Sequence, residues 1–272
     1  MVTTVFTLAG VGGDPNLVAS MLRGEVTAGQ KVVPLYYQNW GIADANVVDG
    51  SNVINDWVTG TAGQKILMGH SMGALAIVRW LNDYAPTSSV PPSELSCVLL
   101  GNSMRPNFGY YINDLGKSLA QVTGLEILVT PSDCRYTVTD IARQYDGWAD
   151  EPKNLNNLNA LTNMQIGMNT IHPNYNDVSL HDETNLTYTV GNTTYLLNPT
   201  DLLPMVDQFW YTPDQKIAQD QALRPGVESA FDRSMWNTLP PLPTYAPTPL
   251  PLTEGDNLVT ADRRNYNLVV TG

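Results

Sequence analysis

The chain has 272 residues, 43% of them hydrophobic and 15% charged, with a formal net charge of −12. That length supports one large domain with a well-buried core, and that composition excludes a disordered chain. The acidity argues against nucleic acid as a partner and against charge-driven docking on an anionic membrane, because only 14 Lys and Arg are spread along the sequence.

Residues 2–8 are β-rich, interrupted by Thr3, Thr4 and Thr7, and no Lys or Arg occurs in the first 22 residues. This reads as a strand rather than a secretory signal with a basic leader. A glycine-rich turn follows, Gly10-Val11-Gly12-Gly13-Asp14-Pro15. Residues 31–37 read as a second strand, and residues 43–59 as an amphipathic helix with Val47, Ile54, Trp57 and Val58 at helical spacing. A short buried strand is predicted over 64–69 and a helix over 72–84 that Pro86 stops. Residues 95–101 and 137–145 are further apolar strands. Strands alternating with helices indicate a parallel sheet covered on both faces.

Residues 102–134 read as an insertion over the site, and Gly191-Asn192 as the turn of a hairpin between 187–190 and 193–197. A proline-rich tract from Pro240 to Pro251 must be extended. The expected boundaries are a hydrolase domain over 1–238 and a C-terminal extension over 239–272. No apolar run approaches the ~20 residues of a spanning helix. Cys97 and Cys134 fit neither a disulfide framework nor a zinc site, and Cys97 reads as a buried strand residue. No metal or cofactor is implied.

The chemistry centres on Gly69-His70-Ser71-Met72-Gly73, a G-x-S-x-G with a strand before it and a helix after it. In such an elbow a serine is presented on a strained turn, and flanking glycines avoid clashes with the packed backbone. Ser71 is the expected nucleophile. The backbone N–H of Met72 would supply half of an oxyanion hole, and Val11 or Gly12 in the first glycine-rich loop the other half. Of the three histidines, His70 is expected to pack around the elbow, which leaves His172 and His181 as the base. Asp146 and Asp150 both follow the strand over 137–145 and are candidates for the acid that orients it.

The run from Thr139 to Asp150, together with Leu100-Gly101-Asn102-Ser103-Met104-Arg105-Pro106-Asn107, Ile171-His172-Pro173-Asn174-Tyr175 and Thr193-Thr194-Tyr195-Leu196-Leu197, closely resembles the PE-PPE domain of mycobacteria and their relatives. The likeness runs in order over roughly residues 5–235. It implies a three-layer, cutinase-like α/β hydrolase with a central parallel sheet, linked to ester hydrolysis and acyl transfer on envelope lipids. The cutinase Arg-x-Tyr-Cys-Asn-x-Gly-Asp element overlays residues 143–150, which implies Asp150 as the acid, and their His-x-x-Tyr element overlays His172 to Tyr175. Cutinases pin this loop with a disulfide. Here Asp146 and Lys153 stand where those cysteines would be, so packing of Trp148 and Pro152 is expected to hold it instead.

The chain is also similar to the phage lysin B esterases of mycolyl-arabinogalactan in its Gly-Asn-x-Met-Arg stretch. With no export signal visible, that resemblance implies a lysis enzyme acting on a host envelope. The expected substrate is thus a lipid or glycolipid ester, with Ser71, Asp150 and His172 in the site. Acyl transfer to a sugar hydroxyl, or a non-catalytic binding module on the same scaffold, are the alternatives. Apolar residues of the insertion, Met104, Phe108, Tyr110, Tyr111, Ile112, Leu115, Leu119, Val122 and Leu125, are expected to line the site.

Overall fold

The computed structural model describes residues 2–236, 259–262 and 266–268. The proline-rich tract lies outside the described residues. Strands β1 (Thr4–Leu8), β2 (Lys31–Pro34), β3 (Lys65–His70), β4 (Leu95–Leu100) and β5 (Thr137–Arg143) form a parallel sheet, completed by the hairpin β6 (Leu186–Val190) and β7 (Thr193–Asn198). The order is β2-β1-β3-β4-β5-β7-β6, with only β6 antiparallel to its neighbour. A separate antiparallel pair, β8 (Val259–Asp262) and β9 (Tyr266–Leu268), is also described.

The central strands β1, β3 and β4 read as largely apolar runs because both faces are buried. Phe6, Leu67, Leu99 and Val138 point to one face, where they meet helices α2 (Asp44–Gly60) and α3 (Met72–Asp83). Val5, Met68, Val98, Leu100 and Ile141 point to the other, against Val18, Met21, Leu22 and Tyr175. Helix α3 is short of charges because it crosses the middle of the sheet, and Ala74 through Val78 are all buried.

Beyond β5, helices α5 (Leu158–Thr170), α6 (Pro204–Asp207) and α7 (Pro213–Glu228) form a third layer around Tyr145. Helix α7 begins with a reciprocal cap between Thr212 and Gln215, with Pro213 at its first position, where no donor is lost. This three-layer arrangement around a mainly parallel sheet is the α/β-hydrolase fold. Its topology fixes where chemistry can sit. β2 lies on one side of β1 and β3 on the other, so the chain switches direction there, and the loops after β1 and β3 open a crevice at the carboxyl edge.

The segment between β4 and β5 carries helix α4 (Asp114–Thr123), but it does not line the crevice as fully as its composition suggested. Met104, Tyr111 and Leu125 are buried in the core under α3, and Phe108 stacks on Trp236. Of the nine apolar residues expected at the site, only Leu119 lines the cavity there. Burial against the sheet claimed most of the others.

Candidate active site

Ser71 sits between β3 and α3 with φ 55° and ψ −122°, a conformation rare outside glycine. The neighbours dictate the G-x-S-x-G pattern. A Cβ on Gly73 would lie 2.4 Å from the Leu8 carbonyl oxygen, and one on Gly69 would lie 2.6 Å from the Gly73 backbone. The Ser71 N–H donates to the Leu100 carbonyl at 2.9 Å, which fixes the turn to the adjacent strand. Gly10 faces Ser71 so closely that a Cβ there would stand 2.7 Å from the serine Cβ.

His172 follows α5 and reaches back over the sheet. Its Nε2 is 2.8 Å from Ser71 Oγ, and its Nδ1 is 2.9 Å from both carboxylate oxygens of Asp146. Asp146 is fully buried and also accepts from Tyr175 Oη at 2.6 Å and from the Trp148 N–H at 3.0 Å. Burial alone would push this carboxyl up. His172, Tyr175 and the Trp148 amide outweigh it and hold the group below its ordinary range, as an anion. Gly101, at φ +59°, lies so close that a Cβ there would come within 2.9 Å of the imidazole.

Asp150, the acid implied by the cutinase overlay, does not contact His172. Its carboxylate accepts from Arg233 Nη1 at 2.5 Å, from Arg233 Nη2 at 3.0 Å and from the Tyr145 N–H at 2.8 Å. The reason is the turn after β5. Tyr145 adopts φ 65°, and the Asp150 N–H bonds the Asp146 carbonyl at 2.6 Å. The loop therefore closes into a tight curl that presents Asp146 to the imidazole and Asp150 to the opposite side. What anchors the curl is Arg233, which also reaches Glu228 at 3.2 Å, rather than packing of Trp148 and Pro152 alone. His181 is exposed and its backbone N–H bonds Ser179, so it belongs to another part of the surface.

The glycine-rich loop after β1 is clamped by Asn39. Its Nδ2 donates to the carbonyls of Gly10 and Gly13, each at 2.9 Å, and its own carbonyl accepts the Gly12 N–H at 2.7 Å. Gly12 has therefore spent its donor and does not line the cavity. Of the two expected oxyanion donors in this loop only Val11 lines the cavity, as Met72 does. Asn39 was not singled out from sequence, since a lone Asn in a loop carries no motif. The Gly101-Asn102 stretch has a structural explanation: Asn102 donates to Asp140 at 2.8 Å and to Thr130 at 2.7 Å, which builds the buried floor behind the site.

His70 does pack at the elbow, and it does more than fill space. Its Nε2–H donates to the His172 carbonyl at 2.8 Å, and the two rings lie 4.9 Å apart. Burial, followed by the neighbouring His172, lowers its pKa to about 4, so it is a neutral donor at pH 7. A folded-state pKa below the unfolded value of about 6.5 gives stability that is present above pH 6.5 and lost as pH falls through 4. Urea unfolding of wild type should therefore lose about 3 kcal/mol more between pH 7 and pH 4 than that of His70→Gln. Equal losses in the two proteins would remove this account.

Ser71, His172 and Met72 stand at the floor of a cavity of about 680 Å³, whose walls include Leu17, Val18, Met21, Ile42 and Leu75. Among the described residues no three His, Cys, Asp or Glu side chains converge as metal ligands would. Cys97 and Cys134 are both free and buried. No helix among those residues is long and apolar enough to cross a membrane.

The PE-PPE domain profile matches residues 25–232, more than half of the chain. The chain belongs to the PE-PPE domain family. Esterase PE16 of Mycobacterium tuberculosis is 28% identical over 225 residues, covering 76% of this chain and 42% of that protein. PE family protein PE3 of the same organism is 26% identical, covering 75% and 47%. The chain thus spans less than half the length of these relatives. A cutinase-like protein from Cryptococcus sp. is 19% identical, covering 55% of this chain and 79% of its own, with a TM-score of 0.40. Within this PE-PPE domain, the run from Asp146 to Asp150 is the curl that carries both carboxylates.

Proposed function

We propose that this PE-PPE domain is a serine esterase for acyl esters of envelope lipids, with Ser71 as nucleophile, His172 as base and Asp146 as the acid that orients it. The continuous path of hydrogen bonds from Ser71 Oγ through His172 to the buried Asp146, at the floor of an apolar cavity, carries the reading. The similarity to esterase PE16 supports the same bond class.

In this reading Ser71 Oγ attacks the ester carbonyl and His172 Nε2 takes its proton. Asp146 keeps Nδ1 protonated and stabilises the imidazolium. The oxyanion sits on the N–H groups of Met72 and Val11, the alcohol leaves with the proton from Nε2, and water resolves the acyl-enzyme through the same base.

The acyl chain would lie against Leu17, Val18, Met21, Leu75 and Leu119. Each buried methylene contributes on the order of 0.8 kcal/mol, so medium- to long-chain esters should be preferred until the cavity is full. Values of kcat/KM for p-nitrophenyl esters of increasing chain length should rise beyond four carbons, with fatty or mycolic acids released from actinobacterial cell-wall material. A steady fall beyond four carbons, with no acid released, would leave a hydrolase of small esters. Product analysis with and without a trehalose acceptor separates hydrolysis from acyl transfer.

A further inference from the structure

Exposed apolar side chains gather at the mouth of the cavity, and hydrogen bonds fix where they stand. The Asn39 carbonyl binds Gly12, which places Trp40, 73% exposed, next to the loop that carries Val11, itself 45% exposed. Tyr36 Oη accepts from the Asn16 side chain at 2.7 Å, which sets it beside α1 (Pro15–Val18) and Leu17, 65% exposed. Helix α4 supplies another stretch of the rim. It turns Leu119 and Thr123 into the cavity and leaves Val122, 85% exposed, in solvent.

Single exposed apolar residues are ordinary on any protein. Here Leu17 and Val11 are exposed and also line the cavity that holds Ser71, and Trp40, Tyr36 and Val122 stand on segments beside that lining; clusters of exposed apolar side chains mark contact sites. The charge around it narrows the partner. Lys117, on α4, is matched by Asp114 at 3.6 Å, and Asp14 lines the cavity itself. With a net charge of −12 on the whole chain, anionic headgroups would be repelled rather than gathered.

We infer that this rim docks on an uncharged lipid surface, so that an acyl ester passes from the layer into the cavity without crossing water; the second clause rests on the esterase reading. Trp40 and Val122 do not line the cavity, so they can be changed without touching the chemistry. Docking is measured first without turnover, by co-sedimentation of Ser71→Ala protein with phosphatidylcholine vesicles. Binding should be present, insensitive to salt, and at least tenfold weaker after adding Trp40→Ser and Val122→Ser.

In the active background the same pair should lower the rate on vesicle-embedded ester at least tenfold. The kcat/KM for dissolved p-nitrophenyl butyrate and the Tm should stay as in wild type. Absence of vesicle binding, or binding that the two substitutions leave unchanged, would overturn the inference. So would binding confined to phosphatidylglycerol vesicles and abolished by salt, or a solution dimer that the two substitutions dissolve while vesicle binding persists. Failure of the esterase reading has a different signature: wild type would bind vesicles yet leave dissolved esters intact.

Discussion

Ser71→Ala should lower kcat/KM on any ester at least ~10⁴-fold while the protein remains folded. Among the described residues the serine hydroxyl bonds His172, and alanine accepts the same strained turn no worse than serine does. A serine-reactive organophosphonate should label wild type at position 71 and leave the variant unlabelled. The elbow would account for that selectivity, since it sets this hydroxyl against His172, whose other ring nitrogen faces a buried anion. A label mapped to another residue, or an alanine variant that still turns over, would refute the nucleophile.

The second large effect separates two carboxylates four residues apart. Asp146→Asn should cost roughly 10³–10⁴-fold in kcat, because an amide beside Nδ1 neither stabilises the imidazolium nor selects the tautomer that frees Nε2 for Ser71. Its folding should suffer less, because the amide keeps one oxygen for the Trp148 N–H and its new NH2 can donate to the Tyr175 hydroxyl, which turns from donor to acceptor. Asp150→Asn should act the other way. It removes the charge facing Arg233, which is itself buried, and should destabilise the protein by about 3 kcal/mol. Its folded fraction should keep most of the wild-type kcat. A folded but inactive Asp150→Asn, with an active Asp146→Asn, would reverse the roles proposed here.

The strands and the central helices were legible because burial on both faces imposes apolar runs that no loop reproduces. β3, the elbow and α3 can be read directly from Lys65-Ile66-Leu67-Met68 and the residues after Gly73. Chain order leaves both His172 and His181 to pair with Ser71, and the likeness to the cutinase His-x-x-Tyr element points to His172, which the structure brings to the serine. The choice of carboxylate does not. It depends on the backbone of a single curl and on Arg233, 83 positions from Asp150, and neither leaves a local pattern. The partner of the Gly12 N–H is hidden for a similar reason: the Asn39 carbonyl accepts it from a segment with no recognisable motif. The apolar residues between β4 and β5 misled because hydrophobicity alone does not distinguish the floor of a core from the wall of a cavity.

The anchoring of the curl by Arg233 has a practical consequence for anyone dividing this protein. The family match ends at residue 232, one position before the arginine. A fragment cut at that boundary would retain every group around Ser71 and His172, yet strand Asp150 in the interior with no guanidinium opposite. It should express poorly or precipitate, whereas a fragment ending at Trp236 should not. Because the anchor is ionic and both thiols are free, reducing agents should leave the intact protein's activity untouched, so the same preparation can be handled with or without them.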